Sequence, residues 1–157
     1  MKIKCDMCDG TGKYWVSPED NCKNCLGTGQ VEIPSPTTEG QVPWLQALGR
    51  SQGHPSWNKG GPGKWLLFVN KKNIDDAWQL IRQETLAENL GCSSKVSTKK
   101  SWLEHGMPED YVICVNTPNC EDKDDINRVR DHLRHLGFTD PIGYKSDKET
   151  KEKSHDC

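Results

Sequence analysis

Apolar positions along the chain cluster into a few short blocks separated by polar or glycine-rich stretches. The densest block, residues 65–69 (WLLFV), leaves a glycine-rich turn at 60–64 (GGPGK). Five residues rich in aromatic and branched side chains have the length and composition of a buried central strand rather than a helix. Downstream, Ile74, Ala77, Trp78, Ile81 and Leu90 recur at helical spacing, with Asn73 placed to cap and Gly91 to stop. Residues 92–98 (CSSKVST) read as a polar strand, 99–108 as a loop and 111–115 (YVICV) as a second strong strand. A second helix is expected where Ile126, Val129, Leu133 and Leu136 share a face. Glu121, Asp122, Asp124 and Asp125 stand at its start, Arg128, Arg130 and Arg134 toward its end, and Gly137 closes it. Acid first and base last complements the helix dipole, which explains these charges without chemistry. Residues 141–145 (PIGYK) add a short strand. The order β-α-β-β-α-β predicts an α+β domain, with helices on one face of a mainly antiparallel sheet and the other face free for a ligand.

The stretch before that domain has a different grain. Residues 33–62 are punctuated by Pro34, Pro36, Gly40, Pro43, Gly49, Gly53, Pro55, Gly60 and Gly61, which predicts a linker with at most one helical turn at 44–48 (WLQAL). Trp44 and Trp57 stand in polar surroundings there, and each indole either packs back on the domain or walls a ligand site. The expected divisions are a module at 1–33, a linker at 34–56, a ligand-binding domain at 57–147 and a charged tail at 148–157.

Composition narrows the class. The 157 residues, 32% hydrophobic with a mean hydropathy of −0.85, support one modest core and an appendage. A formal net charge of −2 excludes a protein that coats nucleic acid through a global basic field, while leaving room for a local anion pocket. No apolar run approaches a membrane span, and the opening residues carry no apolar signal region, so the expectation is a cytoplasmic protein without a membrane partner. Of eight cysteines, four fall in paired C-x2-C units, and Cys92, Cys114, Cys120 and Cys157 are scattered. That is metal spacing in a reducing compartment rather than a disulfide framework.

The paired units form an internal repeat, CDMCDGTG at 5–12 and CKNCLGTG at 22–29. Cys5, Cys8, Cys22 and Cys25 are laid out as C-x2-C-x13-C-x2-C, which lets each pair turn two thiolates onto one zinc ion at about 2.3 Å. The glycines after each pair supply positive φ angles. Residues 13–16 then 17–21 read as strand and turn, giving a short hairpin closed by metal. Four sulfurs on one ion leave no open coordination position, so the expected role is structural zinc rather than catalysis. A docking surface for a protein partner, with Tyr14 and Trp15 exposed, is the functional alternative. The repeat resembles the cysteine-rich zinc domain of the DnaJ co-chaperones, half of which is present.

In the main domain, Trp57, Gly63-Lys64-Trp65, Trp78, Leu90-Gly91, Lys95-Val96-Ser97-Thr98, residues 111–115, residues 133–137 and Tyr144-Lys145-Ser146-Asp147 form an ordered set. Together they resemble the basophilic-leukaemia-expressed protein family, whose members are often labelled phosphothreonine-lyase-domain proteins. The resemblance covers about residues 57–150. It implies a fold like that of the messenger-cap-binding initiation factor 4E, in which a curved antiparallel sheet backed by helices binds nucleotide on its concave side. Indoles there stack on guanine and basic side chains hold phosphates. The chain departs from the family after Thr150, where only a charged tail follows, and no tryptophan pair is assignable by motif to a guanine sandwich.

Three functions follow as expectations. The first is a pocket for a phosphate-bearing nucleotide, whether a guanine nucleotide, a cyclic dinucleotide or an RNA end. Lys64, Lys95 and Lys145 would supply cations, Ser97 and Thr98 hydroxyls, and Trp57 or Trp102 a stacking surface. The second is an enzyme that breaks a phosphoester, with Lys95 as base, Lys64 and Lys145 neutralising phosphate charge, Asp147 orienting a lysine, and His54, His105, His132 or His135 assisting. The third is an interaction adaptor whose sheet is only a scaffold. No serine triad, P-loop or second metal constellation is visible.

Overall fold

The computed structural model describes residues 2–5, 7–13, 16–49 and 60–148. The chain divides into two compact units, Met1–Ser35 and Pro36–Cys157.

The first unit is framed by β1 (Lys2–Lys4) and β2 (Gln30–Glu32), an antiparallel pair in which Ile3 faces Val31. Between them the two cysteine repeats clasp each other reciprocally. Cys5 N donates to Gly29 O and Cys22 N to Gly12 O, each at 2.8 Å. The repeats meet so closely that a Cβ at Gly12 would run into the Gly27 carbonyl, and one at Gly29 into the Gly10 carbonyl; both glycines also hold φ near +75°. Only glycine satisfies both demands. The hairpin expected at 13–21 reduces to a single Lys13–Asn21 bridge, and Tyr14 and Trp15 lie outside the described residues.

The second unit is α+β. Its sheet contains β3 (Trp44–Leu48), β4 (Gly63–Asn70), β5 (Ser93–Ser97), β6 (Asp110–Thr117) and β7 (Gly143–Ser146), in the order β3-β5-β6-β4-β7, every neighbour antiparallel. The predicted central strand is indeed interior, as β4 between β6 and β7. The helices are α1 (Ile74–Leu86), α2 (Lys99–Glu104) and α3 (Lys123–His135). Cross-strand partners share a face, so the register sorts the sheet into two sides. Leu45, Ala47, Trp65, Leu67, Ser94, Val96, Ile113 and Val115 fall on one. Two hydrogen bonds tie α1 and α3 to that side: Thr85 Oγ1 meets Ser94 Oγ at 2.8 Å, and Trp65 Nε1 donates to Ile126 O at 3.1 Å. Trp78, Ile81, Tyr111, Val129 and Leu133 complete this core.

Several expectations are corrected. Residues 44–48 are a strand, not a helical turn: β3 pairs along β5 from Trp44–Ser97 to Leu48–Ser93, so a stretch expected to be linker forms the sheet's edge. Edge pairing supplies hydrogen bonds that override the weak local pattern. Residues 50–56 of that stretch lie outside the described residues. The predicted loop at 99–108 contains α2, capped by Thr98, whose Oγ1 accepts from Ser101 N. Helix α1 stops at Leu86, short of Leu90, and Asn73 gives it no side-chain cap. Arg130 does not merely complement the α3 dipole. It is buried, donates to Phe138 O and Asp140 O at 2.8 Å each, and so fastens the turn into β7. Of the expected tail only Lys148 is described. Among the described residues, no helix is long and apolar enough to cross a membrane.

Candidate functional site

In the first unit, Cys5, Cys8, Cys22 and Cys25 are buried, with all four Sγ atoms within 4.8 Å of one another. The Cys5–Cys22 and Cys8–Cys25 sulfur separations are 3.9 and 3.7 Å. A tetrahedral ion with metal–sulfur bonds near 2.3 Å requires sulfur–sulfur edges of roughly 3.8 Å, so the donor set fits a metal. The surroundings act unequally on the thiols: burial pushes Cys8 up, while hydrogen bonds hold Cys5 down and outweigh burial to lower Cys25. Gly12 N donates to Cys8 Sγ and Gly29 N to Cys25 Sγ, both at 3.2 Å, from the two glycines that close the repeats. Asn24 Nδ2 donates to Cys5 Sγ at 3.3 Å and holds that thiol down to about 6. Among the described residues this is the one cluster of metal-ligating groups that converges.

The second candidate is the sheet face opposite α1 and α3. By register it carries Lys64 beside Lys145 and Asn116, then Lys95 beside Cys114 and Gln46, then Phe68 beside Val112, with Ser97 beside Trp44. The three lysines named from the sequence therefore emerge on one side of one sheet. Lys64 and Lys95 line a hollow of ≈ 280 Å³ together with Gln46, Ser93, Asn116 and Asp147. Lys145 lies just outside it, as the direct cross-strand partner of Lys64. The Asp147 carboxylate pairs with Lys64 at 3.5 Å. Cys114, flanked by Leu66 and Lys95, is buried; burial pushes its thiol up, against the pull of the Lys95 and Lys64 charges.

A second hollow, ≈ 410 Å³, lies on the same face and is lined by Trp44, Phe68, Ser97, Trp102 and Val112 among others. Phe68 is 66% exposed there. Helix α2 borders it through Ser101 and Trp102, so this helix walls one end of the open face. Lys95 links the two hollows. It belongs to the first, and its ammonium sits 4.4 Å from the centre of the Trp44 ring, which belongs to the second.

Other sequence candidates hold different posts. The Ser97 hydroxyl accepts from Val112 N at 2.9 Å, and the Thr98 hydroxyl donates to Val42 O at 2.5 Å, so each has a backbone partner. The Trp102 indole donates to Pro108 O at 2.7 Å and stacks on Tyr111, with ring centroids 6.0 Å apart. It borders the apolar hollow but not the lysines. His105 bonds back to Ser101 O, and His132 bonds Glu84 on α1, both away from the lysine hollow. Trp57 and His54 lie outside the described residues. Asn116 is an addition that the structure makes, and Trp44, one of the two indoles offered by the sequence as a possible wall, is placed beside Lys95. The sequence left open whether Trp44 packs or walls a site, because its contact with Lys95 depends on an edge pairing that the proline-rich local sequence conceals. Residues 59–151 match the family model described as Basophilic leukemia-expressed protein Bles03.

Proposed function

From the premise that the chain belongs to the Basophilic leukemia-expressed protein Bles03 family, we propose that the open sheet face binds a phosphate-bearing nucleotide. The observation that carries this reading is Lys95, poised between a hollow shared with Lys64 and an indole 4.4 Å away. Phosphate oxygens accept from the two ammonium groups and from the amide of Asn116, whose Nδ2 now donates to Ser93 Oγ at 2.9 Å. The base lies over Trp44, Phe68 and Val112, a surface whose exposed phenyl ring has no better use in water. Lys95 passes from the ring to the phosphate as the base takes its place on the indole. This arrangement keeps the nucleotide on the sheet, as the likeness to the cap-binding initiation factor implies. The four cysteines of the first unit hold one structural zinc ion and leave it no vacant position for chemistry.

Melting curves of the full chain with guanine nucleotides, a cyclic dinucleotide and short 5′-phosphorylated RNA test the reading. At least one compound raises the melting temperature and quenches tryptophan fluorescence. Lys95→Ala abolishes the shift, and Trp44→Ala weakens binding by about 1–3 kcal/mol, the usual worth of one stacked base. A panel without any shift up to millimolar concentration overturns it. Consumption of a bound compound, lost in Lys95→Ala, would instead make Lys95 a catalytic base.

A further inference from the structure

The charge around the lysine hollow defines how much phosphate it accepts, and this inference rests on the nucleotide reading above. Lys64 and Lys145 stand directly opposite each other on β4 and β7, and Lys95 is two strands away with its neighbour Cys114 between. Strand spacing and rise put the Lys64 and Lys95 backbones about 12 Å apart, within converging reach of two four-carbon side chains. Like charges placed opposite each other destabilise an antiparallel pair, so the Lys64–Lys145 pairing works against folding unless an anion answers it. Asp147 answers part of it, with its carboxylate 3.5 Å from the Lys64 ammonium and itself lining the hollow. Lys64 and Lys95 in the hollow against the Asp147 carboxylate leave one positive charge, and Lys145, outside it as the cross-strand partner of Lys64, brings the local total to two.

A phosphate monoester carries about −1.5 to −2 at neutral pH and matches that remainder. A diphosphate or triphosphate brings further negative charge into a hollow of ≈ 280 Å³, where the Asp147 carboxylate already lies. We propose that Asp147 makes this face selective for a terminal phosphomonoester, on a nucleoside 5′-monophosphate or an RNA 5′-monophosphate end, over the corresponding di- and triphosphates. The carboxylate acts by repelling surplus phosphate and by keeping Lys64 aligned on the first. Asp147 is a specificity-determining residue in this scheme, not a catalytic one.

Titration calorimetry of the full chain without divalent cations tests it. The probes are guanosine, GMP, GDP and GTP, together with one short RNA bearing a 5′-hydroxyl, 5′-monophosphate or 5′-triphosphate end. Wild type binds GMP about tenfold tighter than GTP, and Asp147→Asn removes or reverses that preference. Asp147→Ser, at a side chain 42% exposed, repeats the measurement should the asparagine disturb the strand end. The RNA series separates the two sources: a preference confined to RNA makes the ligand a processed end, and one shared with GMP makes it the free nucleotide. Equal or tighter binding of GTP by wild type overturns the selectivity while leaving the nucleotide site intact, as does an unchanged ratio in both Asp147 variants. Failure of every probe to bind removes the nucleotide reading and this inference together.

Discussion

The two units of this chain bury different things. Among the described residues of the first, the buried cluster is the four cysteines with Val31 packed against it, and Ile3 is buried as well. In the second, Trp78, Tyr111, Leu67, Ile81, Ile113 and Leu133 are all but sealed from solvent behind an antiparallel sheet. Among the described residues of the first unit, the cysteines apart, so few apolar side chains are buried that they cannot repay its chain entropy, so its order has to come from a few strong bonds at one point. The larger unit draws its order from area, spread over many weak contacts. On the proposed zinc reading, the first architecture fails all at once when a ligand bond goes, and the second loses stability by increments.

That contrast can be broken most severely at the cysteines. Cys8→Ser, or removal of metal by a chelator, is expected to abolish zinc content and unfold the first unit, since structural zinc in small modules contributes on the order of 10 kcal/mol. The melting of the second unit should not move. Metal analysis with amide exchange across residues 2–35 reads both effects, and full metal content in Cys8→Ser would remove the assignment. The reciprocal change, Trp78→Ala, should cost the second unit about 3–5 kcal/mol in denaturant unfolding, with metal still bound.

Smaller changes sharpen the incremental side. Thr98→Ala deletes the α2 cap and the bond to Val42 O, and about 1–2 kcal/mol should be lost from the second unit by the same unfolding assay. The α1–α3 contact makes a pH test. His132 Nε2 lies 2.7 Å from Glu84 Oε2, and that hydrogen bond holds the Glu84 carboxyl below its usual range. A depressed carboxyl stabilises the fold above its unfolded value, near 4.3, and the contribution fades as pH falls through the folded value. Glu84→Gln should therefore flatten the loss of stability below about pH 4.5, with about 0.5 kcal/mol at stake for a partly exposed pair. At the smallest end, Lys145→Gln relieves the like-charge pair with Lys64. It should raise stability by a few tenths of a kcal/mol while weakening nucleotide binding, and unchanged stability would show that Asp147 alone has already neutralised the pair.

What was legible in the sequence follows the range over which each signal acts. The cysteine repeat announces its own geometry, because ligand spacing and the glycines after it are local requirements of one knuckle. The 65–69 and 111–115 runs announce central strands by length and composition alone. Strand β3 calls for a different kind of information: Trp44-Leu45-Gln46-Ala47-Leu48 has no period of its own, and it becomes a strand by meeting the open edge of β5. The hydroxyls of Ser97 and Thr98 each take a backbone partner that the sequence does not announce, because their strand end is where β6 and the segment before β3 converge.

By itself, then, the order of residues determined the metal-ready thiols, the main strands and helices, and an α+β class, since each depends on neighbours a few positions apart. The tertiary structure alone decided which lysines share a face, which indole lies beneath Lys95, and that Asp147 answers Lys64 across eighty-odd residues. Those relations depend on strand register. A shift of a single residue would send every one of these side chains to the opposite side of the sheet.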